Sequence, residues 1–290
     1  VIIMPSLKPV HALFIAFLLG SSVSAQAETC KSLTEALAKP EKVTILNLGM
    51  VYEEDAEPVE EPNPDSSLKH LPAAFGSLTN LKELNICGLE ALEELPPELG
   101  NLKNLESIVI DNGNGYQMNI SLPETIAGLE KLKVLRLYGA FDAEGIMQNE
   151  KSEPIAAKKL PQALGALQNL EVLDLGRNGL SELPPQVASL SKLVSLSLDY
   201  NGIKELPEFV GNLKNLKNLT INCNGGTILP DSLKNLKGLN IAMGNAALKL
   251  KDQEALRKRF PEAVFDFSSE FDEETANEMI PESPVVNQGD

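Results

Sequence analysis

The sequence has no tryptophan, only four tyrosines and nine phenylalanines, two histidines and three cysteines among 290 residues. So few rings leave no stacking platform for single-stranded nucleic acid. Two histidines, His11 and His70, cannot build a histidine-based metal centre. Positive charge is also scarce: 25 basic residues against 41 acidic ones give a formal charge of −16, which argues against DNA, RNA or anionic lipid as partner. Long apolar runs are missing near the N-terminus, where Ala12 to Leu19 falls well short of the ~20 residues that cross a bilayer, so no stable membrane insertion is expected. There is no Walker loop, dinucleotide glycine fingerprint, zinc-protease helix, nucleophile elbow or paired-cysteine metal site. A non-enzymatic chain without cofactor or metal is therefore expected.

What is present begins with a targeting pattern. Lys8, the run Ala12 to Leu19, Gly20, Ser21, Ser22 and two small-residue cleavage sites, Val23-Ser24-Ala25 and Ala25-Gln26-Ala27, read as a signal peptide over 1–27. The mature chain is expected to be exported, to the periplasm, the cell surface or the medium. Its acids are unevenly placed. One stretch, 51–66, holds Glu53, Glu54, Asp55, Glu57, Glu60, Glu61 and Asp65 with Pro58, Pro62 and Pro64; another, 269–290, holds Glu270, Asp272, Glu273, Glu274, Glu278, Glu282 and Asp290. Both read as solvated, extended charge runs rather than calcium loops, and the tail is expected to be disordered. Without them the body is nearly neutral.

That body is repetitive. Leu-Pro recurs at Leu71-Pro72, Leu95-Pro96, Leu122-Pro123, Leu160-Pro161, Leu183-Pro184, Leu206-Pro207 and Leu229-Pro230, the later copies 23 residues apart. Aligned on this pair, apolar residues fall at repeat positions 1, 5, 8, 11, 14 and 16, Gly often at 6, and Asn at 19 in three copies, Asn178, Asn201 and Asn224. Positions 14 and 16 lie two apart, so on a strand they point to one side while 13, 15 and 17 point to the other. Pro at 2 and Gly at 6 break regular structure and turn the chain back. Asn at 19 can satisfy backbone groups that a tight turn leaves unpaired. One copy cannot stand alone, since about seven buried side chains at ~2 kcal/mol each do not offset ordering 23 residues at ~1 to 2 kcal/mol per residue. Neighbouring copies must stack.

The pattern LPxxhGxLxxLxxLxLxxNxL resembles the leucine-rich repeat family in its 23-residue class, and the opening SLTEALAKPEKVTILNL and ending LRKRFPEAVFDF resemble the caps of secreted bacterial members. The resemblance implies an α/β fold, a curved leucine-rich-repeat solenoid with a concave parallel β-sheet, seven to eight repeats and two caps. The expected divisions are 1–27 signal peptide, 28–50 N-terminal cap and first strand, 51–66 acidic insert, 67–249 repeats, 250–268 C-terminal cap and 269–290 acidic tail. Ser32 and Glu35 form a capping box for a helix ending before Pro40, and Asp252 is expected to cap a helix through Phe260. The resemblance further implies recognition of a protein or glycan through the concave face and the insertion-bearing edge, as in host-interaction or envelope-recognition members. Two other readings stay open: the substrate-recognition part of a secreted effector enzyme assembly, and a structural envelope protein without a discrete ligand.

Outward positions can be read directly. From the second repeat onward they are Ser107, Val109 and Asp111; Val134, Arg136 and Tyr138; Val172, Asp174, Gly176 and Arg177; Ser195, Ser197, Asp199 and Tyr200; Asn218, Thr220, Asn222 and Cys223. Tyrosine and arginine most often anchor interfaces, which makes Arg136, Tyr138, Asp174, Arg177, Asp199, Tyr200 and Asn222 the expected binding patch. A solvated face with neutralising ion pairs is the plainer reading of the same residues. Position 19 holds Leu89, Gly113 and Ala140 in the first three repeats, so their turns must close differently. Extra residues after the strands at 51–66, 112–121 and 139–159 are expected along one edge. Cys87 and Cys223 lie five strand gaps apart and cannot bridge, whereas Cys30 to Cys87 is geometrically open.

Overall fold

A computed structural model describes residues 28–49, 65, 67–89, 91–111, 120–141, 160–244 and 248–268. Residues 1–27, where a signal peptide is expected, nearly all of the acidic insert, the acidic stretch 269–290, and residues 112–119 and 142–159 of the other two insertions lie outside the described residues.

Ten strands form one parallel sheet in chain order: β1 (Glu28–Cys30), β2 (Val43–Gly49), β3 (Glu83–Cys87), β4 (Ser107–Asp111), β5 (Val134–Tyr138), β6 (Val172–Asp174), β7 (Ser195–Ser197), β8 (Asn218–Thr220), β9 (Asn240–Ala242) and β10 (Val264–Asp266). The repeats predict eight; β1 and β10 are added because each cap contributes a strand of its own. The alternation of apolar and polar positions sets the register. Leu84, Ile108, Leu135, Leu173, Leu196, Leu219 and Ile241 stand side by side on β3 to β9 and are all sealed inside. Each contributes about 1.5–3 kcal/mol through burial. A slip of one residue would turn the whole row outward.

Opposite the sheet the chain returns through five-residue 3-10 turns, among them Pro97–Asn101, Gln162–Ala166 and Glu208–Asn212. The proline at repeat position 2 precedes each turn in extended backbone, as at Pro161 with ψ 149°, because its ring fixes φ and its missing N–H is not needed there. Position 5 enters the core (Phe75, Leu99, Ile126, Leu164, Val187, Val210 and Leu233), and the position 8 leucine donates back to its carbonyl, as Leu167 N does to Leu164 O at 3.2 Å. Gly100 is required here: a Cβ would stand 2.5 Å from Thr125 O of the next turn.

Helix α1 (Leu33–Ala38) closes one end. Ser32 accepts from Glu35 N at 3.2 Å, and Leu33 and Ala36 are buried. Asp65 departs from the expected solvated charge run. It is 5% exposed and accepts from Leu33 N at 3.0 Å, tying the end of the acidic insert to the first turn of α1. Helix α2 (Leu250–Arg259) lies at the other end and starts from Lys249 without a side-chain cap. Asp252, the expected cap, sits inside its first turn, where a carboxylate still favours the positive end of the helix. Phe260 and Phe265 seal the core beneath it. All three cysteines are free. Cys30 points inward beside Leu46, while Cys87 stands beside Gly49 at the far end of β2 and β3, which closes the Cys30 to Cys87 option.

Candidate functional site

At the C-terminal ends of β6 to β8 the chain must turn with its backbone groups inside the protein, and asparagine solves this. Asn178 Nδ2 donates to Leu137 O (2.6 Å) and Gly176 O (3.0 Å), while its Oδ1 accepts from Phe141 N (3.0 Å). Asn201 repeats the pattern one rung on: Nδ2 donates to Leu175 O and Leu198 O, and Oδ1 accepts from Asn178 N and Leu180 N. Asn224 Nδ2 donates to Leu198 O and its Oδ1 accepts from Ile203 N. Each asparagine therefore stitches its own turn to the preceding rung, and position 18 just before it is held rigidly.

Position 18 is left-handed in every described repeat that carries it. Gly88 and Gly139 have φ +66° and +62°; Arg177, Tyr200 and Cys223 have φ +56°, +55° and +57°. Glycine adopts this region freely, whereas a side chain there costs roughly 1–2 kcal/mol. Three successive rungs thus hold a strained residue where two others use glycine, and their side chains leave the same end of the sheet.

Beside them stand the outward strand residues. Arg136 is 5% exposed and lies between Asp111 (Nη2 to Oδ2, 3.0 Å) and Asp174 (Nε to Oδ2, 3.2 Å), with its guanidinium 5.7 Å from the Tyr138 ring centre. It braces β4, β5 and β6 instead of standing free as an interface anchor. Val109, Val134 and Val172 of the same outward surface are also buried, since rungs only ~4.8 Å apart shield one another's side chains. The Tyr138 ring lies across Gly176, where a Cβ would come within 2.7 Å of Cδ2. Burial pushes the Tyr138 hydroxyl well above its ordinary pKa. Tyr200, Asp174 and Asp111 add to the rise and Arg177 opposes it, so these groups share one field. Tyr200 is 40% exposed. Its hydroxyl is raised by burial first and then by the charge and hydrogen bond of Cys223.

The acidic and amide members of the patch each commit one oxygen to the turns. Asp174 Oδ1 accepts from Gly176 N at 2.9 Å, Asp199 Oδ1 from Asn222 N at 2.7 Å, and Asn222 Oδ1 from Gly244 N at 2.6 Å. Burial pushes the Asp199 carboxyl up to about 7 against the hydrogen bonds from Asn222 N and from the Thr220 and Asn222 side chains, with Asp174 adding to the rise. The fold thus gathers all seven expected residues over β5 to β8, with three roles. Tyr138, Arg177 and Tyr200 face solvent in part, Arg136 is an internal brace, and Asp174, Asp199 and Asn222 serve backbone and surface together. Sequence reasoning missed Asp111 as the second carboxylate on Arg136, and Cys223 as the partner of Tyr200. Cys223 shares repeat position 18 with Arg177 and Tyr200, which was signal enough to include it.

Residues 151–263 match the family described as a leucine-rich repeat region. Over those residues the chain is similar to leucine-rich repeats. Among curated proteins it is similar to NLR family CARD domain-containing protein 4 of Bos taurus, 34% identical over 133 residues, a match covering 37% of this chain and 13% of that protein. It is also similar to TMV resistance protein N of Nicotiana glutinosa, 33% identical over 125 residues, covering 39% of this chain and 11% of that one. The chain thus spans about an eighth or less of the length of these relatives. Among solved structures, a plant peptide hormone receptor, RGFR1 in complex with RGF2, aligns at TM-score 0.45 and 20% identity over 85% of this chain and 39% of the receptor. Among the described residues of this leucine-rich-repeat solenoid, no helix is long and apolar enough to cross a membrane.

Proposed function

We propose that this leucine-rich-repeat chain is an exported, protein-binding module of the 23-residue, secreted bacterial type, and that its ligand docks on the strand-end edge over β5 to β8. Tyr138, Arg177 and Tyr200 make the contact; Arg136, Asp174, Asp199 and Asn222 hold them in place and complete the polar rim. The observation that carries this reading is the left-handed backbone at Arg177, Tyr200 and Cys223 beside its glycine equivalents, Gly88 and Gly139. A position that folds most cheaply with glycine, yet holds large side chains at one end of the sheet, is a strained site of the kind that clusters where ligands are gripped. Tyrosine and arginine are also the residue types that dominate binding energy at protein interfaces. Export rests on the pattern of Lys8, Ala12 to Leu19 and the small residues before Ala27.

Capture from host and bacterial extracts, comparing wild type with a Tyr138→Ala/Arg177→Ala/Tyr200→Ala variant of unchanged melting temperature, tests the site. A protein held by wild type and at least about 100-fold more weakly by the variant, roughly 2.7 kcal/mol, is the expected result. Equal retention by both chains would place the ligand elsewhere. Fractionation with external protease tests export; a protected cytoplasmic chain retaining residues 1–27 would contradict it.

A further inference from the structure

The sheet ends at two edges, and they are finished differently. β1 is blunted by a register shift between Glu28 and Thr29, a device that keeps an edge from pairing further. β10 has no such shift: Val264, Phe265 and Asp266 stand in unbroken register beside Asn240, Ile241 and Ala242. Val264 N donates to Leu239 O at 2.9 Å and Asp266 O accepts from Met243 N at 2.8 Å, so these two residues turn backbone groups toward β9. In a parallel ladder the residue between them turns its N–H and C=O the other way, and those of Phe265 therefore point off the end of the sheet. Val264 adds an apolar side chain that is 57% exposed. A regular edge with an exposed apolar residue is a template for another strand.

One side chain stands in the way. Arg257 Nη2 donates to Phe265 O at 3.3 Å, and its guanidinium lies 5.1 Å from the centre of the Phe267 ring, which is stacked on Phe265 with centroids 5.3 Å and planes 5° apart. The helix that carries it is pinned two residues on, where Arg259 Nε donates to Asp231 Oδ1 at 2.9 Å and its guanidinium lies 4.9 Å from the Phe260 ring centre. No residue of α2 is buried, so core packing does not account for Arg257. A planar guanidinium can rest on a ring and donate at once, which an ammonium does poorly. We propose that Arg257 guards the open edge of the sheet, and that the strand it keeps off is β10 of a second copy of this chain. Two copies present the same edge, so a two-fold axis beside Phe265 lets the Phe265 residues of both copies exchange both backbone hydrogen bonds as an antiparallel pair. With Arg257 on Phe265 O, that exchange is shut. The edge lies two rungs beyond β8, and the inference stands apart from the ligand site over β5 to β8.

The test is sedimentation velocity of the full chain from about 10 µM to about 1 mM, with amide hydrogen exchange read at Phe265. Wild type should stay monomeric. Arg257→Met keeps an apolar stem and removes the donor; it should dimerise with a dissociation constant near or below about 1 mM, at least about tenfold tighter than any wild-type association. Exchange at Phe265 should slow as the concentration of this variant rises. Lys258→Met, an equal loss of charge at the next exposed residue, should leave the chain monomeric. Val264→Lys added to Arg257→Met places a charge on the edge and should restore the monomer. Arg257 is itself exposed, so its replacement should spare the fold, and Arg257→Ala serves as a second variant if Arg257→Met does not fold. A folded variant at Arg257 that stays monomeric overturns the guard, as does a wild type that dimerises equally well. Equal association by Lys258→Met, or association that survives Val264→Lys, assigns the contact to another surface and overturns it too. Exchange at Phe265 that is slow in Arg257→Met at every concentration alike would put residues of the same chain on the edge, and the second copy would be wrong.

Discussion

The rungs of β3 to β5 and those of β6 to β8 share one repeat but end it differently. In the first group the strands run five residues, and after β3 and β5, where the turn is described, the left-handed position holds Gly88 or Gly139 and position 19 holds Leu89 or Ala140. In the second group the strands run three residues, the left-handed position holds Arg177, Tyr200 or Cys223, and a buried asparagine follows each. The difference teaches that the turn can be made cheaply, with glycine and no side chain on display, or expensively, with a side chain held rigidly by an asparagine ladder. Rigidity at the second group makes the expense useful, because a side chain on a fixed backbone loses little further freedom when a ligand arrives.

The two regions meet at Arg136, and the largest expected effect is there. Arg136→Met leaves Asp111 and Asp174 facing a hydrophobe across β5 and should cost about 3–5 kcal/mol by urea unfolding; a loss below about 1 kcal/mol would show the brace to be dispensable. Next comes the ladder that distinguishes the second region. Asn201→Ala strands donors and acceptors of two turns and should cost about 2–4 kcal/mol, whereas Ala140, at the same repeat position in the first region, has no such role to lose. Smaller is the effect of Asp199. Its folded pKa of about 7 lies above the ordinary 3.8, so between those values the folded chain keeps a proton that the unfolded chain has released. Stability from this group is greatest at low pH, falls as pH rises through that window, and is level above it. Asp199→Asn should remove that slope and gain roughly 1–2 kcal/mol at pH 8, after allowance for partial exposure. Parallel pH profiles of the two chains would contradict it. Smallest is Gly88→Ala, where a Cβ meets nothing within 4 Å and only the φ of +66° is at issue; about 1 kcal/mol is expected.

Most of the scaffold was legible because a two-residue alternation inside a 23-residue period leaves one consistent way to bury Leu173 and Leu175 while exposing their neighbours. The helix at Ser32 and Glu35 was legible for the same local reason. Val264–Asp266 was legible as an extended segment after Pro261, whereas the cap strand Glu28–Cys30 was harder to count, being three residues long with no Leu-Pro to mark it. Asp65 and Asp252 were misjudged because helix starts are decided by which group reaches the free amides, and Asp65 reaches Leu33 from 32 residues away. At the site, side-chain parity was readable, so the seven residues expected on the outward surface do lie together over β5 to β8. Burial was not, since what covers Arg136 comes from Asp111 and Asp174 on rungs distant in sequence. Nor was the left-handed backbone at Arg177, Tyr200 and Cys223, because those residue types give no hint of positive φ; Gly88 and Gly139 at the same position were the only clue.

Replacing Arg177 and Tyr200 by glycine, the residue that this position uses in the first region, tests most directly whether these side chains are kept for binding and not for folding. Urea unfolding of Arg177→Gly/Tyr200→Gly should show a chain at least as stable as wild type, by up to about 1 kcal/mol once relief of backbone strain is set against the extra freedom of the unfolded glycines. A loss of more than about 1 kcal/mol would mean that Arg177 and Tyr200 hold the solenoid together, and the assignment of this edge to a ligand would fall.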